Sequence, residues 1–167
     1  MIIYHNLQEI DQNLLNQIFE YHDGSLYWKI NVGLAVKNEK AGFVGSAGYV
    51  RVGLLGKEYR EHRLIYLYHH GHLPEFVDHI DGNRLNNHIE NLRQATRAEN
   101  NRNSKINSKN VSGVKGVHWN KKANKWESYC GVNGKRHYLG IYTNKEDAIK
   151  VVKEFREIHH GEFFNHG

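Results

Sequence analysis

The 167-residue chain has one cysteine, Cys130, which excludes an internal disulfide and any cysteine-rich zinc knuckle. No apolar run approaches the length that spans a bilayer. The opening residues, MIIYHNLQEIDQ, lack a basic region followed by an apolar stretch, so a soluble, cytoplasmic protein with no membrane partner is expected. Acidic residues are nearly missing from the middle of the chain. Residues 93–125 carry nine Lys/Arg and one Asp/Glu, against eight and eleven in residues 1–92 and six and six in residues 126–167. This one-signed stretch is interleaved with Asn, Ser and Gly and lies between two patterned regions, which favours a polyanion-binding stripe over an idle solvated tail. With 39% hydrophobic residues the chain is globular, and its length allows one ordinary domain or two small ones with modest cores.

Leu14, Leu15, Ile18 and Phe19 have a helical period, and His22-Asp23-Gly24 closes that segment. Strand-like runs follow at 25–30, 41–44, 49–55 and 57–61, with Leu55-Gly56 as a tight hairpin between the last two. Residues 62–70 read as a helix stopping at Gly71, with Pro74 just beyond. Residues 76–80 read as a strand entering the Asp81-Gly82 turn, 85–92 as loop and helical turn, and 93–96 as a strand. A helix then runs over 96–102, capped by Thr96 with Glu99 three residues on. Residues 103–112 are almost devoid of apolar side chains and read as a linker. Beyond it, 114–119, 125–132 and 136–142 are strand candidates, the last two joined at Asn133-Gly134. A final helix from Thr143 or Asn144 to about His159 has Ala148, Ile149, Val152, Phe155 and Ile158 as its expected buried stripe.

The chemistry concentrates in residues 78–100, DHIDGNRLNNHIENLRQATRAEN. Phosphodiester hydrolysis needs an attacking water, a base to deprotonate it and a cation to hold the phosphate. Asp78 is a hard oxygen ligand suited to Mg²⁺ or Mn²⁺. On a strand the adjacent His79 faces the other way, and a neutral imidazole can take the proton near physiological pH. Asn91 and Asn100 add oxygen donors 12 and 21 residues beyond His79. Asp81, Asn83, Asn86, Asn87 and His88 read better as loop hydrogen bonding, and His69, His70 and His72 as surface or interface residues.

His62–Leu64, Val77–Asn83, Asn86-Asn87, Glu90–Leu92 and Arg97–Asn100, at these spacings, closely resemble the HNH endonucleases of phages and mobile introns. The resemblance implies a ββα-metal finger. In it Asp78 and Asn100 bind one divalent cation, His79 is the general base, and Asn91 braces the loop and orients His79. Asn100 stands where the family's usual second His would be, as in the intron-encoded homing branch, which favours Mg²⁺ or Mn²⁺ over Zn²⁺ or Ni²⁺. Arg63 has two readings: a contact to the scissile phosphate, or a salt bridge to Glu58 or Glu61.

Residues 112–163 resemble an AP2-type DNA-binding domain through Gly113–Trp119, Lys125-Trp126, Tyr138–Tyr142 and Glu146–Ala148. Strand alternation puts Trp126, Ser128, Cys130, Val132, His137, Leu139 and Ile141 against the helix and leaves an aromatic and basic face for the major groove. The resemblance points to Lys115, His118, Asn120, Tyr129, Arg136 and Tyr138 as DNA contacts. Lys121, Lys122 and Lys125 would meet phosphates. Arg102, Lys105 and Lys109 could track DNA between the modules or simply be solvated. Lys29, Arg51, Lys57 and Arg60 are further candidates for contacts near the cut site, and Cys130 is expected buried and inert.

The fold class expected is therefore α+β. A small N-terminal antiparallel sheet with helices and a ββα-metal nuclease core at about 62–102 makes up residues 1–102. A basic linker at 103–112 leads to an AP2-like three-stranded sheet packed on one helix at 113–163. The function expected is a site-specific, homing-type DNA endonuclease using a single Mg²⁺ or Mn²⁺. Its partner is double-stranded DNA, bound by a monomer, with a dimer as the way to cut both strands. The alternative is a DNA-binding regulator with a vestigial nuclease fold; an RNA-directed nuclease is disfavoured because the sheet face lacks the aromatic pattern of RNA-binding modules.

Overall fold

The first helix, α1 (Gln12–Ile18), starts where the Asp11 carboxylate accepts the Leu14 amide at 2.8 Å. It buries Leu15 and Ile18. In this computed structural model, which describes residues 10–103 and 106–160, the chain divides between Ala95 and Thr96 into two compact units.

In the first unit, β1 (Phe19–His22) pairs antiparallel with β2 (Ser25–Trp28). The helical period was expected to run on to His22, but the helix stops at Ile18. Asp23 and Gly24 both have positive φ, the geometry of a two-residue hairpin turn, and the four residues before it are recruited as a strand. A second sheet has the order β3 (Phe43–Val44), β4 (Val50–Leu54), β5 (Lys57–Arg60), with Leu55-Gly56 making the same kind of turn. Helix α2 (Glu61–His70) follows directly and ends at Gly71, whose amide returns to the Leu67 carbonyl. The third pair is β6 (Phe76–His79) with β7 (Leu92–Ala95), joined by a loop containing one 3₁₀ turn, Ile89–Asn91. The core gathers Leu15, Phe19, Leu26, Trp28, Val52, Leu54, Leu64 and Ile65 around α2. Gln12 fixes α1 to α2 by donating to the Tyr68 carbonyl at 2.8 Å.

The second unit begins with α3 (Arg97–Arg102), closed by a reciprocal capping box between Thr96 and Glu99. Its sheet has the order β10 (Lys135–Tyr142), β9 (Lys125–Val132), β8 (Val117–Asn120), and α4 (Lys145–His160) packs on it. Val114, Val117, Ala148 and Val152 form the core, flanked by Trp126, Leu139, Tyr142 and Ile149. Part of the expected linker belongs to this unit. Ser112 is buried, and the Asn110 side-chain oxygen accepts from the Ser112 amide, the Ser112 hydroxyl and the Gly113 amide.

Two expectations about this unit's faces fail. Ile158 is exposed, and the buried places on the last turns of α4 go to Arg156 and His160. Each meets a main-chain carbonyl, Arg156 that of Lys115 at 2.8 Å and His160 Nε2 that of Gly131 at 2.9 Å, while His160 Nδ1 is buried without a partner among the described residues. In β10 a bulge shifts the register between Tyr138 and Gly140, so Ile141 pairs with Glu127 on the free face and Tyr142 with Trp126 on the helix face. Gly140 makes this possible, with φ 131°, and a Cβ there would lie 2.6 Å from the Tyr142 hydroxyl. Cys130 is buried as expected, and burial pushes its thiol up. Among the described residues no helix is long and apolar enough to cross a membrane.

Candidate active site

The β6–β7 hairpin builds the site. Val77, Asp78 and His79 are buried in succession, so both faces of this strand are covered. Asp78 lies opposite Arg93 in the register and His79 opposite Leu92. Arg93 Nε and Nη2 both donate to Asp78 Oδ2, at 3.2 and 3.1 Å, with both side chains largely buried. Arg93 thereby supplies the counter-charge that a buried carboxylate needs.

Strand alternation sends His79 to the opposite side, where its Nε2 lies 2.8 Å from Asn87 Oδ1. Asn87 donates through Nδ2 to Glu61 Oε2 at 2.8 Å, and Glu61 Oε1 accepts the Leu26 amide at 2.9 Å. Burial pushes the His79 imidazole below its ordinary value, partly offset by the Asn87 hydrogen bond and by Asp81 and Asp78, so it is neutral at physiological pH. Burial pushes the Glu61 carboxyl up, while the Leu26 and Asn87 bonds pull it back.

The loop between the strands is held by Asp81 and Asn91. Asn91 Nδ2 donates to Asp81 Oδ1 at 2.9 Å and to the Asn86 carbonyl at 2.8 Å, and Asn91 Oδ1 accepts the Asp81 amide at 3.1 Å. Asp81 also accepts from the Asn83 amide and the Asn86 side chain. Burial opposes its charge, but these bonds together hold its carboxyl below the ordinary value. The expected role of Asn91 as loop brace therefore has a geometry, whereas the bond to His79 Nε2 comes from Asn87. Loop hydrogen bonding describes Asp81, Asn83 and Asn86, but Asn87 is buried and faces the site.

His62 is packed 4.7 Å from the His79 ring and 5.3 Å from Tyr49, ring centre to ring centre. Burial first, and then the charges of His79, Arg60 and Arg63, push His62 down to about 3. The Arg60 and Arg84 guanidinium groups lie over the Tyr49 ring at 4.4 and 4.9 Å, which brings two cations to the edge of this cluster. Arg63 takes neither expected salt bridge. It donates to the Glu75 and Pro74 carbonyls, while Glu58 pairs with Arg51 at 2.7 Å.

The model of the HNH endonuclease family matches residues 59–102, the stretch that carries this hairpin and the helix before it. Protein 3.8 of Escherichia phage T7 is 35% identical over 106 residues, covering 62% of this chain and 87% of that protein. The chain belongs to the HNH endonuclease family. A protein of Acanthamoeba polyphaga mimivirus named as an HNH endonuclease is 36% identical over 124 residues, 72% of this chain and 63% of its own length. A Bacillus subtilis (strain 168) protein named for an SPbeta prophage HNH homing endonuclease is 34% identical over 85 residues, 44% of this chain and 49% of its own length. No solved structure matches.

HNH enzymes are nucleases acting on DNA and generally use a divalent metal. Among the described residues no three His, Cys, Asp or Glu side chains cluster as a metal site. The ligands expected from the sequence are a carboxylate, Asp78, on β6 and a side-chain amide, Asn100. Asn100 lies on α3, in the second unit, where its amide continues the capped turn by donating to the Thr96 carbonyl at 3.0 Å.

The HNH chain's second unit gathers most of the expected DNA contacts on the free face of its sheet. His118 stacks on Tyr129 at 5.3 Å and 12°, Arg136 lies 3.7 Å over the Tyr129 ring, and Tyr138 is 5.2 Å from it. Glu127 sits among them and is occupied by His118 at 3.0 Å and Asn120 at 2.7 Å. Asn120 also caps the following turn through the Lys122 and Ala123 amides, leaving Lys121 exposed. Lys115 is half-buried, donates to the Arg102 carbonyl at 3.2 Å, and is pushed down to about 8 by burial and by Arg156. Arg102 reaches Asn133 at 3.3 Å. Lys105 lies outside the described residues.

Glu61, Asn87, Arg93, Tyr49 and Arg84 were not singled out as site residues from the sequence. The signal for Arg93 was available: pairing 76–80 with 93–96 as a hairpin sets an arginine across from Asp78. Glu61 and Tyr49 reach the site from separate parts of the chain, and the side chains of Arg84 and Asn87 read as those of ordinary loop residues.

Proposed function

We propose that this chain is a site-specific, homing-type DNA endonuclease in which His79 is the general base and a single Mg²⁺ or Mn²⁺ is held by Asp78 with Asn100. The observation that carries the reading is the buried pair on β6: His79 held by Asn87 beside Asp78 held by Arg93. Such a pair supplies a base and an anionic ligand on adjacent residues without letting either collapse onto the other.

His79 takes a proton from the attacking water, whose oxygen bonds to phosphorus as the bond to the 3′ oxygen breaks. The products are a 5′-phosphate and, once the leaving oxygen gains a proton from solvent, a 3′-hydroxyl. The cation, when bound, neutralises the phosphate and stabilises the leaving oxygen. Asn91 keeps the intervening loop in shape. The C-terminal unit acts as an AP2-like grip, reading the major groove with His118, Asn120, Tyr129, Arg136 and Tyr138 and meeting phosphates with Lys115, Lys121, Arg102 and Lys105. Arg63 supports the site from behind by holding the chain at Pro74-Glu75.

The test is plasmid DNA incubated with the pure protein, with Mg²⁺ or with chelator. Metal-dependent nicking is expected, and His79→Ala should remove it while binding to DNA persists. Full cleavage by His79→Ala would overturn the assignment of the base.

A further inference from the structure

The hydrogen bonds running from β2 to His79 have a direction that follows from which groups can donate. The Leu26 amide can only donate, and it donates to Glu61 Oε1. Glu61 Oε2 in turn accepts from the amine of Asn87 at 2.8 Å. The Asn87 amide is thereby turned one way, with its carbonyl oxygen toward His79 Nε2 at 2.8 Å. A carbonyl can only accept, so Nε2 carries the ring hydrogen and the acceptor lone pair of the neutral ring is on Nδ1. Glu61, Asn87 and His79 are 1%, 2% and 5% exposed, so bulk solvent does not compete for these bonds.

We propose that Glu61 is a positioning residue for DNA hydrolysis: acting through Asn87, it sets the His79 imidazole in the Nε2–H tautomer, so that Nδ1 is the atom that receives the proton of the attacking water. The proposal rests on the reading of His79 as the general base. It assigns a chemical purpose to a buried carboxylate on α2 that belongs to none of the motif positions, and it makes Asn87, not Asn91, the partner that sets the ring.

The substitution Glu61→Gln changes almost no volume but reverses the order. The carbonyl of the introduced side-chain amide must accept the Leu26 amide, because the other placement sets two donors face to face. The introduced amine then meets Asn87, whose carbonyl turns toward it, and the Asn87 amine faces Nε2. That nitrogen must now accept, and the ring hydrogen moves to Nδ1. Adding Asn87→Asp restores the original sense: the introduced amine donates to one oxygen of the new carboxylate and Nε2–H to the other.

The experiment uses the full chain as wild type, Glu61→Gln, and Glu61→Gln with Asn87→Asp. Long-range ¹⁵N–¹H correlations of the histidine rings report the tautomer, with His79 assigned by its loss in His79→Ala. The expected result is Nε2–H in wild type, Nδ1–H in Glu61→Gln, and Nε2–H again in the double variant. Plasmid cleavage with Mg²⁺ should fall about 100-fold in the single variant and recover in the double, while DNA affinity is unchanged throughout. A wild-type ring with its hydrogen on Nδ1 would overturn the proposal outright. So would a Glu61→Gln protein that keeps Nε2–H and wild-type cleavage. If Glu61→Gln fails to fold, a folded double variant with Nδ1–H and full cleavage would overturn it equally. A tautomer that follows the expected order while cleavage stays constant would instead refute the role of His79 as base and leave the hydrogen-bond order standing.

Discussion

His62 makes the first unit acid-labile, and the size of the effect can be worked out. Its ring is 3% exposed and lies against His79 and Tyr49, and its proton affinity in the folded chain is pushed from 6.5 down to about 3. Below 6.5 the unfolded chain takes up a proton at this position and the folded chain does not, so stability falls as pH falls. The loss begins near 6.5 and continues to about 3, where the folded form also protonates. Between pH 7 and pH 5 the folded ring stays neutral while the unfolded ring becomes almost fully charged, a loss of about 2 kcal/mol from this one group. His69 and His79 are shifted in the same direction, so the contribution of His62 is isolated by comparison with His62→Phe, which keeps a ring and cannot titrate. Urea unfolding at both pH values reads it, followed by the fluorescence of Trp28, which packs 4.6 Å from Phe19, with Trp119 and Trp126 replaced by Phe. Wild type should lose about 2 kcal/mol more than His62→Phe on going from pH 7 to pH 5. Equal losses would show that His62 protonates freely in the folded chain and that its burial is not as described.

Two further outcomes are expected from the second unit. Gly116→Ala should destabilise it by about 2 kcal/mol or more, read as a lowered midpoint of thermal unfolding, because φ is 78° and a Cβ would collide with the Tyr129 carbonyl. An unchanged midpoint would mean that the β8–β9 approach is looser than the backbone bond from the Tyr129 amide to the Gly116 carbonyl at 2.8 Å implies. Arg136→Ala should weaken DNA binding and, if its guanidinium meets a phosphate, make the dependence of log affinity on log salt shallower by about one unit. An unchanged slope with weaker binding would place Arg136 on a base or on Tyr129 alone.

Residues that act through local pattern were legible in the sequence. Leu55-Gly56, Asn133-Gly134 and the Thr96–Glu99 box announce their own geometry, and β9 begins and ends where its alternation says. Asp78, His79 and Asn91 stood out because they lie close together in one short polar segment. What escaped depends on distant chain. The Phe19–His22 strand exists because a partner folds back on it, and apolar spacing alone could not separate it from a last helical turn. The bulge after Tyr138 inverts the faces of Ile141 and Tyr142, a step that alternation cannot foresee. Asn87 looked like any polar loop residue; only the approach of Glu61 from α2 makes it a site residue.

Every strand pairing among the described residues joins neighbours in sequence, β1 with β2, β3 with β4 and β4 with β5, β6 with β7, and β8 with β9 and β9 with β10. Such hairpins close short loops and form early in folding. The bonds of Glu61 are of another kind, spanning 35 residues to Leu26 and 26 residues to Asn87. They close only when β2, α2 and the β6–β7 loop are all in place, so the orientation of the His79 ring depends on the assembled unit. The Asp78-His79 segment alone therefore does not carry the ring's orientation; the whole first unit does.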